Sequence, residues 1–543
     1  MCTHHIPFNS AAATRQDPHA HQEEHAYWSR RTFAKALGLS GVGGLLLSNT
    51  PIAASGASPL SALLSNVENE RILVIIRLKG GNDGLNTVVP LNQYDTYASY
   101  RPSLRIKENE TFKLNQSYAM PDFMKSLESV WGEGMMKVVH GVGYDNPSLS
   151  HFSGSTNWAT ASSQKGESET GWLGRYFEDL YPDFLFEPPA IPAAIQIGNN
   201  GNIIFEGEEA NYAFAVANPN ELYKVASNGT LFDIRNQPDC TYGDQSTYLR
   251  GVANNTFSYA GVINDAFTKA EEGTGYTNGK LSKQLSIVSR LIKGNLGTRV
   301  YMVTLGGFDT HGGQSNTHQE LLTEVADSVR ALYDDLSAAG RQNDVLTMTI
   351  SEFGRRPREN GSAGTDHGTA SPLFLFGGGL NASGFVGTAP SLKDLDRSGN
   401  MKFTQDFRQV YATVLSEWLC LDPDLVNRIL LGQDYDQLPL GINCSRTLSQ
   451  EIFETPVLQM DHFFWYKNGV PTIQYSLQNA DNVSVRLYAL TGQEVAVLQS
   501  ERQDMGIHEA VITPDIYHQM SQGQYIYRIS TSRGNFSKSF LLD

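Results

Sequence analysis

Five short segments, scattered along 543 residues, carry side chains that bind metals or move protons, and each lies beside an apolar run. Lys79-Gly80-Gly81-Asn82-Asp83-Gly84-Leu85-Asn86 follows the first run, and Asn146-Pro147-Ser148-Leu149-Ser150-His151-Phe152 the second. Gly306-Gly307-Phe308-Asp309-Thr310-His311-Gly312 and Ser351-Glu352-Phe353-Gly354-Arg355-Arg356 follow later ones, and Gly364-Thr365-Asp366-His367-Gly368 precedes another. A carboxylate beside an imidazole, as in Asp309-x-His311 and Asp366-His367, has few purely structural uses after a strand. Asp83, Asp309, Glu352 and Asp366 with His311 and His367 form a mixed oxygen and nitrogen set suited to zinc, manganese or magnesium. Two such divalent ions together polarise an ester oxygen and activate a nucleophile. Other members are open: Asp83 could satisfy turn amides, His151 reads more readily as a satisfied core histidine, and Arg355 with Arg356 is either a clamp for an anionic group or a solvated pair.

Convergence of such distant residues requires a sheet that delivers them to one edge. Ile72 to Ile76, Met135 to Val139, Ala194 to Ile197, Val300 to Leu305, Val345 to Ile350 and Leu373 to Phe376 are short continuous apolar runs, the pattern of parallel strands buried on both faces. Between two of them Leu321, Leu322, Val325, Val329, Leu332 and Leu336 recur at helical spacing, with Ser315 and Asn316 as candidate caps and Gly340 as the stop. Strand, helix and strand make a βαβ unit, so the expected body is α/β, a doubly wound, mostly parallel sheet over residues 71–440. Ligands of such sheets bind outside the carboxyl ends of the strands. The polar stretch around 199–293 is expected as an inserted cap.

The ends of the chain read differently. Ser29-Arg30-Arg31-Thr32-Phe33-Ala34-Lys35 resembles the twin-arginine export consensus, with Ala34 where leucine is usual; the apolar run Ala36 to Leu47 is too short to span a bilayer, and Ser55-Gly56-Ala57 suits cleavage. Residues 1–57 are therefore expected as a removable leader, with no transmembrane segment left in the mature chain. From Phe453 strict alternation sets in, with Val483, Val485 and Leu487 on one face, a turn at Thr491-Gly492, then Val495 and Val497. The closing Gly523-Gln524-Tyr525-Ile526-Tyr527-Arg528-Ile529 and Ser537-Lys538-Ser539-Phe540 resemble the type A sorting domain of type IX secretion. That resemblance implies a small C-terminal β-sandwich over 453–543 that addresses the protein to the cell surface or the medium; an accessory adhesion module shares the pattern.

With 41 basic and 57 acidic residues the formal charge is -16 and no basic patch is visible, which argues against a nucleic-acid partner. Of four cysteines, Cys2 lies in the leader; Cys420 and Cys444 could close a loop in an oxidising compartment or remain two buried thiols. No CxxC pair supports a thiolate zinc site.

Taken together, Gly-Gly-Asn-Asp-Gly-Leu-Asn, Ser-His-Phe, Gly-Phe-Asp-Thr-His, Ser-Glu-Phe-Gly-Arg and Thr-Asp-His-Gly resemble the bacterial family of domain of unknown function DUF1501, itself similar to a remote branch of the alkaline phosphatase and sulfatase superfamily. The resemblance implies an alkaline phosphatase-like fold with two metals at the strand ends. It implies Ser150 as nucleophile, Asp83 as the first-strand ligand, Asp309 with His311 on one metal, Glu352 at a later strand end and His367 before the last core strand. Phe353 stands where the superfamily usually has a histidine; Asp366 is the replacement available for it, and His318 is a substitute for the closely spaced His311. No Cys-x-Pro-x-Arg stretch for a formylglycine sulfatase and no Gly-x-Ser-x-Gly elbow is present in the body. The implied activity is hydrolysis of a small anionic phosphate or sulfate ester after passage through the twin-arginine and type IX machineries. The second reading, favoured by Phe353, is a surface binding or scaffolding protein that kept the fold and lost the chemistry.

Overall fold

The computed structural model describes residues 71–444 and 462–542, apart from 165, 183, 185–187, 199–200, 209, 227–231, 235–240, 468–469, 478–479, 490–493, 519, 521–522 and 532–533. The leader, Cys240 and the Thr491-Gly492 turn lie outside the described residues. The chain divides after Ser445 into two compact units, each taken by itself.

The first unit is α/β, built on a nine-stranded, mostly parallel sheet. Its strands include β1 (Ile72–Lys79), β2 (Met136–Gly143), β3 (Ala194–Ile197), β4 (Ala213–Val216), β5 (Val300–Gly306), β6 (Val345–Ser351), β9 (Ser371–Phe376) and β10 (Gly384–Val386). The hairpin β7 (Gly354–Glu359) and β8 (Thr365–Gly368) stands off the sheet. The main order is β10-β2-β9-β6-β1-β5-β3-β4. Neighbouring residues of one strand feed opposite faces: Leu73 and Ile75 enter one core with Val300 and Met302, while Val74 and Ile76 enter the other with Tyr301 and Val303. Burial on both faces is why the run reads as uninterrupted apolar sequence.

One strand departs from the doubly wound expectation. β9 runs antiparallel to both β2 and β6, because the β7/β8 hairpin reverses the chain at the carboxyl edge and leaves it there to re-enter the sheet. Residues 199–293, expected as an inserted cap, contribute edge strand β4 and helix α3 (Lys280–Lys293), whose Leu285, Val288 and Leu291 join one core. Helix α4 (Gln314–Ala338) buries Leu322, Val325, Val329, Leu332 and Leu336. It begins before Ser315 and Asn316, which cap nothing; Gly313 makes the turn in left-handed backbone (φ 56°) and the nitrogens of Gly313 and Gln314 donate to the carbonyls of Ser362 and Ala363. Cys420 and Cys444 are joined as a disulfide, Cα to Cα 5.2 Å.

The second unit is a β-sandwich. His462–Lys467, Val470–Leu477 and Gly506–Val511 form one antiparallel sheet; Glu494–Gln503, Asp481–Ala489, Gly523–Thr531 and Gly534–Leu542 form the other. Val483, Val485 and Leu487 fill its core with Ile473, Tyr475, Tyr527 and Ile529. Val495 and Val497 do not: they are 38% and 43% exposed, and Ala496 and Leu498 face inward instead. The pairing of this edge strand shifts register twice against Asp481–Ala489, so alternation alone does not tell which valines turn inward.

Candidate metal centre

Strand register brings the candidate segments level. Lys79 lies opposite Gly306 and Leu78 opposite Ser351, so the chain leaves β1, β5 and β6 at one edge of the sheet. Gly80 (φ 124°) permits a close approach: a Cβ there would lie 2.4 Å from the backbone nitrogen of Asp309. Helix α1 (His151–Thr160) starts over the same edge, with Ser150 as its N-cap residue and His151 in its first turn.

Asp309 is the hub. Its Oδ2 faces Nε2 of His151 at 3.3 Å, and its Oδ1 faces Nε2 of His311 at 3.1 Å and Nε2 of His367 at 3.2 Å. Nε2 of His311 and His367 are 2.9 Å apart. Each imidazole is held from behind. Nδ1 of His151 lies 2.5 Å from the carboxylate of Glu352, Nδ1 of His311 lies 3.3 Å from Asp366, and Nδ1 of His367 lies 2.7 Å from the Leu149 carbonyl. Acceptors at Nδ1 select the tautomer whose Nε2 lone pair faces Asp309, which is how metal-binding histidines are oriented. Two facing lone pairs repel unless a cation or proton lies between them.

The electrostatics agree. Partial burial works against ionisation of Asp309, but the hydrogen bond from the Arg355 guanidinium leads the causes that outweigh it and hold the carboxyl at about 2. Burial lowers the pKa of His367, favouring the neutral ring a ligand needs. The hydrogen bond from Asn360 leads the causes that lower Asp366. His151, Asp309 and His367 have ligand atoms all within 4.8 Å of one another. Donors around a tetrahedral zinc, with bonds of about 2.0–2.1 Å, are spaced roughly 3.3 Å apart, so the residues present fit one ion, with His311 adjoining.

Several expectations are redrawn. Asp83 is not in the group: it is 1% exposed and fully engaged by Arg101, whose Nη1 and Nη2 donate to its two oxygens at 2.6 and 2.9 Å, with Gln314 Nε2 adding a third bond at 2.5 Å. Burial alone would raise its pKa; the guanidinium reverses the direction and supplies the counter-charge an ion would have supplied. Glu352 and Asp366 stand behind histidines. Arg355 is buried, donating to the carbonyls of Gly80, Gly81, Phe308 and Thr365 and to Asp309, so its donors are spent on the scaffold instead of a substrate. His318 lies deep in the body with Nε2 on Asn82 Oδ1 at 3.0 Å, and is no substitute ligand. His151, read from sequence as a core residue, is a full member. Arg101 carried no signal in the sequence. Phe353 packs its ring 4.3 Å from that of His367 and 5.0 Å from that of His151. The Ser150 side chain makes no capping hydrogen bond.

No curated protein matches the chain. Similar solved structures include a sulfatase from Pseudoalteromonas sp. (10% identity, 83% of this chain and 85% of that one, TM-score 0.27). A protein in the alkaline phosphatase superfamily from Vibrio parahaemolyticus (10%, 79% and 82%, 0.28) and a protein of glycosaminoglycan metabolism from Bacteroides thetaiotaomicron (11%, 80% and 90%, 0.30) are others. At such TM-scores none of them bears on this chain's chemistry. The model of the family described as protein of unknown function (DUF1501) matches residues 136–422, more than half of the chain and every member of the centre, and the chain belongs to that family.

Proposed function

We propose that the chain is an exported, metal-dependent hydrolase of phosphate or sulfate esters with Ser150 as nucleophile. The observation that carries this reading is the set of three Nε2 atoms turned on the Asp309 carboxylate, each ring braced from behind. A divalent ion held by His151, Asp309 and His367 would supply Lewis acidity toward the ester oxygens and the attacking hydroxyl. Ser150 attacks phosphorus or sulfur, the ester oxygen leaves with its electron pair, and water then hydrolyses the covalent ester and restores the serine. The backbone amides at the α1 start favour the negative charge of the bound group. The donor set supports one ion, against the two that the family resemblance implies. Zinc, manganese and magnesium are the candidates.

Export is part of the proposal. Its supports are the Ser29 to Lys35 consensus, the sandwich formed by the last strands, and the Cys420–Cys444 disulfide, which suits an oxidising compartment. Among the described residues no helix is long and apolar enough to cross a membrane. Purified mature protein is to be assayed for bound metal and for turnover of aryl phosphates and aryl sulfates with zinc, manganese or magnesium, beside Ser150→Ala. Metal content with turnover that Ser150→Ala abolishes is the expected result; an apo, inactive protein sinks the reading.

The second reading, a binding or scaffolding protein on the same fold, is favoured by Phe353 lying against two rings of the centre and by the sealing of Asp83. A metal-loaded protein that binds aryl esters without turnover, and in which Asp309→Ala alters stability alone, would establish it.

A further inference from the structure

We infer that a polar cleft beside the centre is a binding site for a neutral saccharide. The cleft encloses about 450 Å³ and is lined by hydroxyl, amide and charged side chains, among them Asn146, Ser148, Ser153, Asn157, Gln164 and Arg408. Ring hydroxyls both donate and accept, and so match such side chains.

Two observations narrow the ligand. Asn157 is 3% exposed and half satisfied: its Nδ2 donates to the Tyr144 hydroxyl and the Ser163 carbonyl, while its Oδ1 is buried with no hydrogen-bond partner. An orphaned acceptor on a residue that lines the cleft calls for a donor, which a sugar hydroxyl supplies and a phosphate or sulfate dianion does not. Charge points the same way. Arg408 is neutralised by Asp406, which accepts from Nε at 2.8 Å and Nη2 at 2.6 Å, and Asp145 is also in the lining, so no net positive charge remains to draw an anion.

The cleft and the centre share a loop. Asp145, Asn146 and Ser148 line the cleft, and the next residue, Leu149, lends its carbonyl to His367 at 2.7 Å. Occupancy is nevertheless independent of any hydrolysis, and so is the test. Saturation-transfer NMR on the purified mature chain, with methyl pyranosides of gluco, galacto, manno and fuco configuration as probes, should show transfer to the ring protons of at least one of them. Asn157→Leu removes the orphan acceptor, and Gln164→Trp fills the cleft from its exposed rim. Each should weaken binding at least tenfold. Because Asn157→Leu also removes two internal hydrogen bonds, the Gln164→Trp result decides if that variant fails to fold. No transfer from any of the four pyranosides overturns the inference, as does transfer that survives Gln164→Trp unchanged or is displaced by inorganic sulfate.

Discussion

Asp309 receives three imidazoles on its two oxygens, and the groups behind those imidazoles decide how well they hold. Glu352→Gln keeps the shape of the side chain and removes the charge on His151 Nδ1, so metal affinity should fall about 10- to 100-fold, read by competition with a chromogenic chelator. Unchanged affinity would separate Glu352 from the centre. Asp83→Asn has the opposite profile: Arg101 is left buried against a neutral partner, stability should drop by about 3–5 kcal/mol, and the metal content should stay at its wild-type value. Loss of an ion in that variant would restore Asp83 to the ligands. Asp309, His311 and His367 were legible because a carboxylate and an imidazole stood side by side after or before a strand. The role of Asp83 was not legible: its partner lies 18 residues away on another element, and no local pattern announces an ion pair formed only in the tertiary fold. His151 was misread for a similar reason, since nothing local says that the start of α1 hangs over the ends of β5 and β6.

The elements were legible wherever both faces of a strand are buried, as in β1, β5 and β6. The β7/β8 hairpin was not, because Gly-Arg-Arg-Pro-Arg-Glu has the composition of a loop, and with it went the direction of β9. The turn after β1 can be tested directly. Gly80→Ala drives a methyl group into the backbone of Phe308 and Asp309, in a conformation that alanine resists, and should cost at least about 1–3 kcal/mol in denaturant unfolding while weakening metal binding. On β2, His140 stacks its ring 4.7 Å from Phe385, with Nε2 buried and unpartnered, and burial pushes its pKa down to about 4. His318 on α4 is held at about 4 by the same cause. Both rings are neutral in the fold, while in the unfolded chain they take up protons near their ordinary value of about 6.5. Their contribution is therefore intact above about pH 6.5 and is lost as the pH falls toward 4. The urea midpoint should decline across that window, and His140→Phe should flatten part of the decline; identical slopes for wild type and variant would contradict this.

For the whole molecule, the disulfide closes a loop across a sequence separation of 24. Its chain-entropy contribution is about 3 kcal/mol, so Cys420→Ser should lower unfolding free energy by roughly that amount and leave metal binding intact; no change would mean the bridge does not form in solution. Division into a large α/β unit and a β sandwich could be read from the change of period alone, whereas the twin-arginine signal lies in residues 1–57, outside the described structure, and awaits fractionation of an Arg30→Lys, Arg31→Lys variant. The knot that Arg355 ties has a temporal meaning as well. Its guanidinium gathers carbonyls at Gly80, Gly81, Phe308 and Thr365, so the hub carboxylate is fixed only after stretches separated by hundreds of residues have all arrived. On the proposed reading, ion capture falls among the last events of folding, since a chain still unfinished has nothing to capture with: a bound ion would certify a completed body.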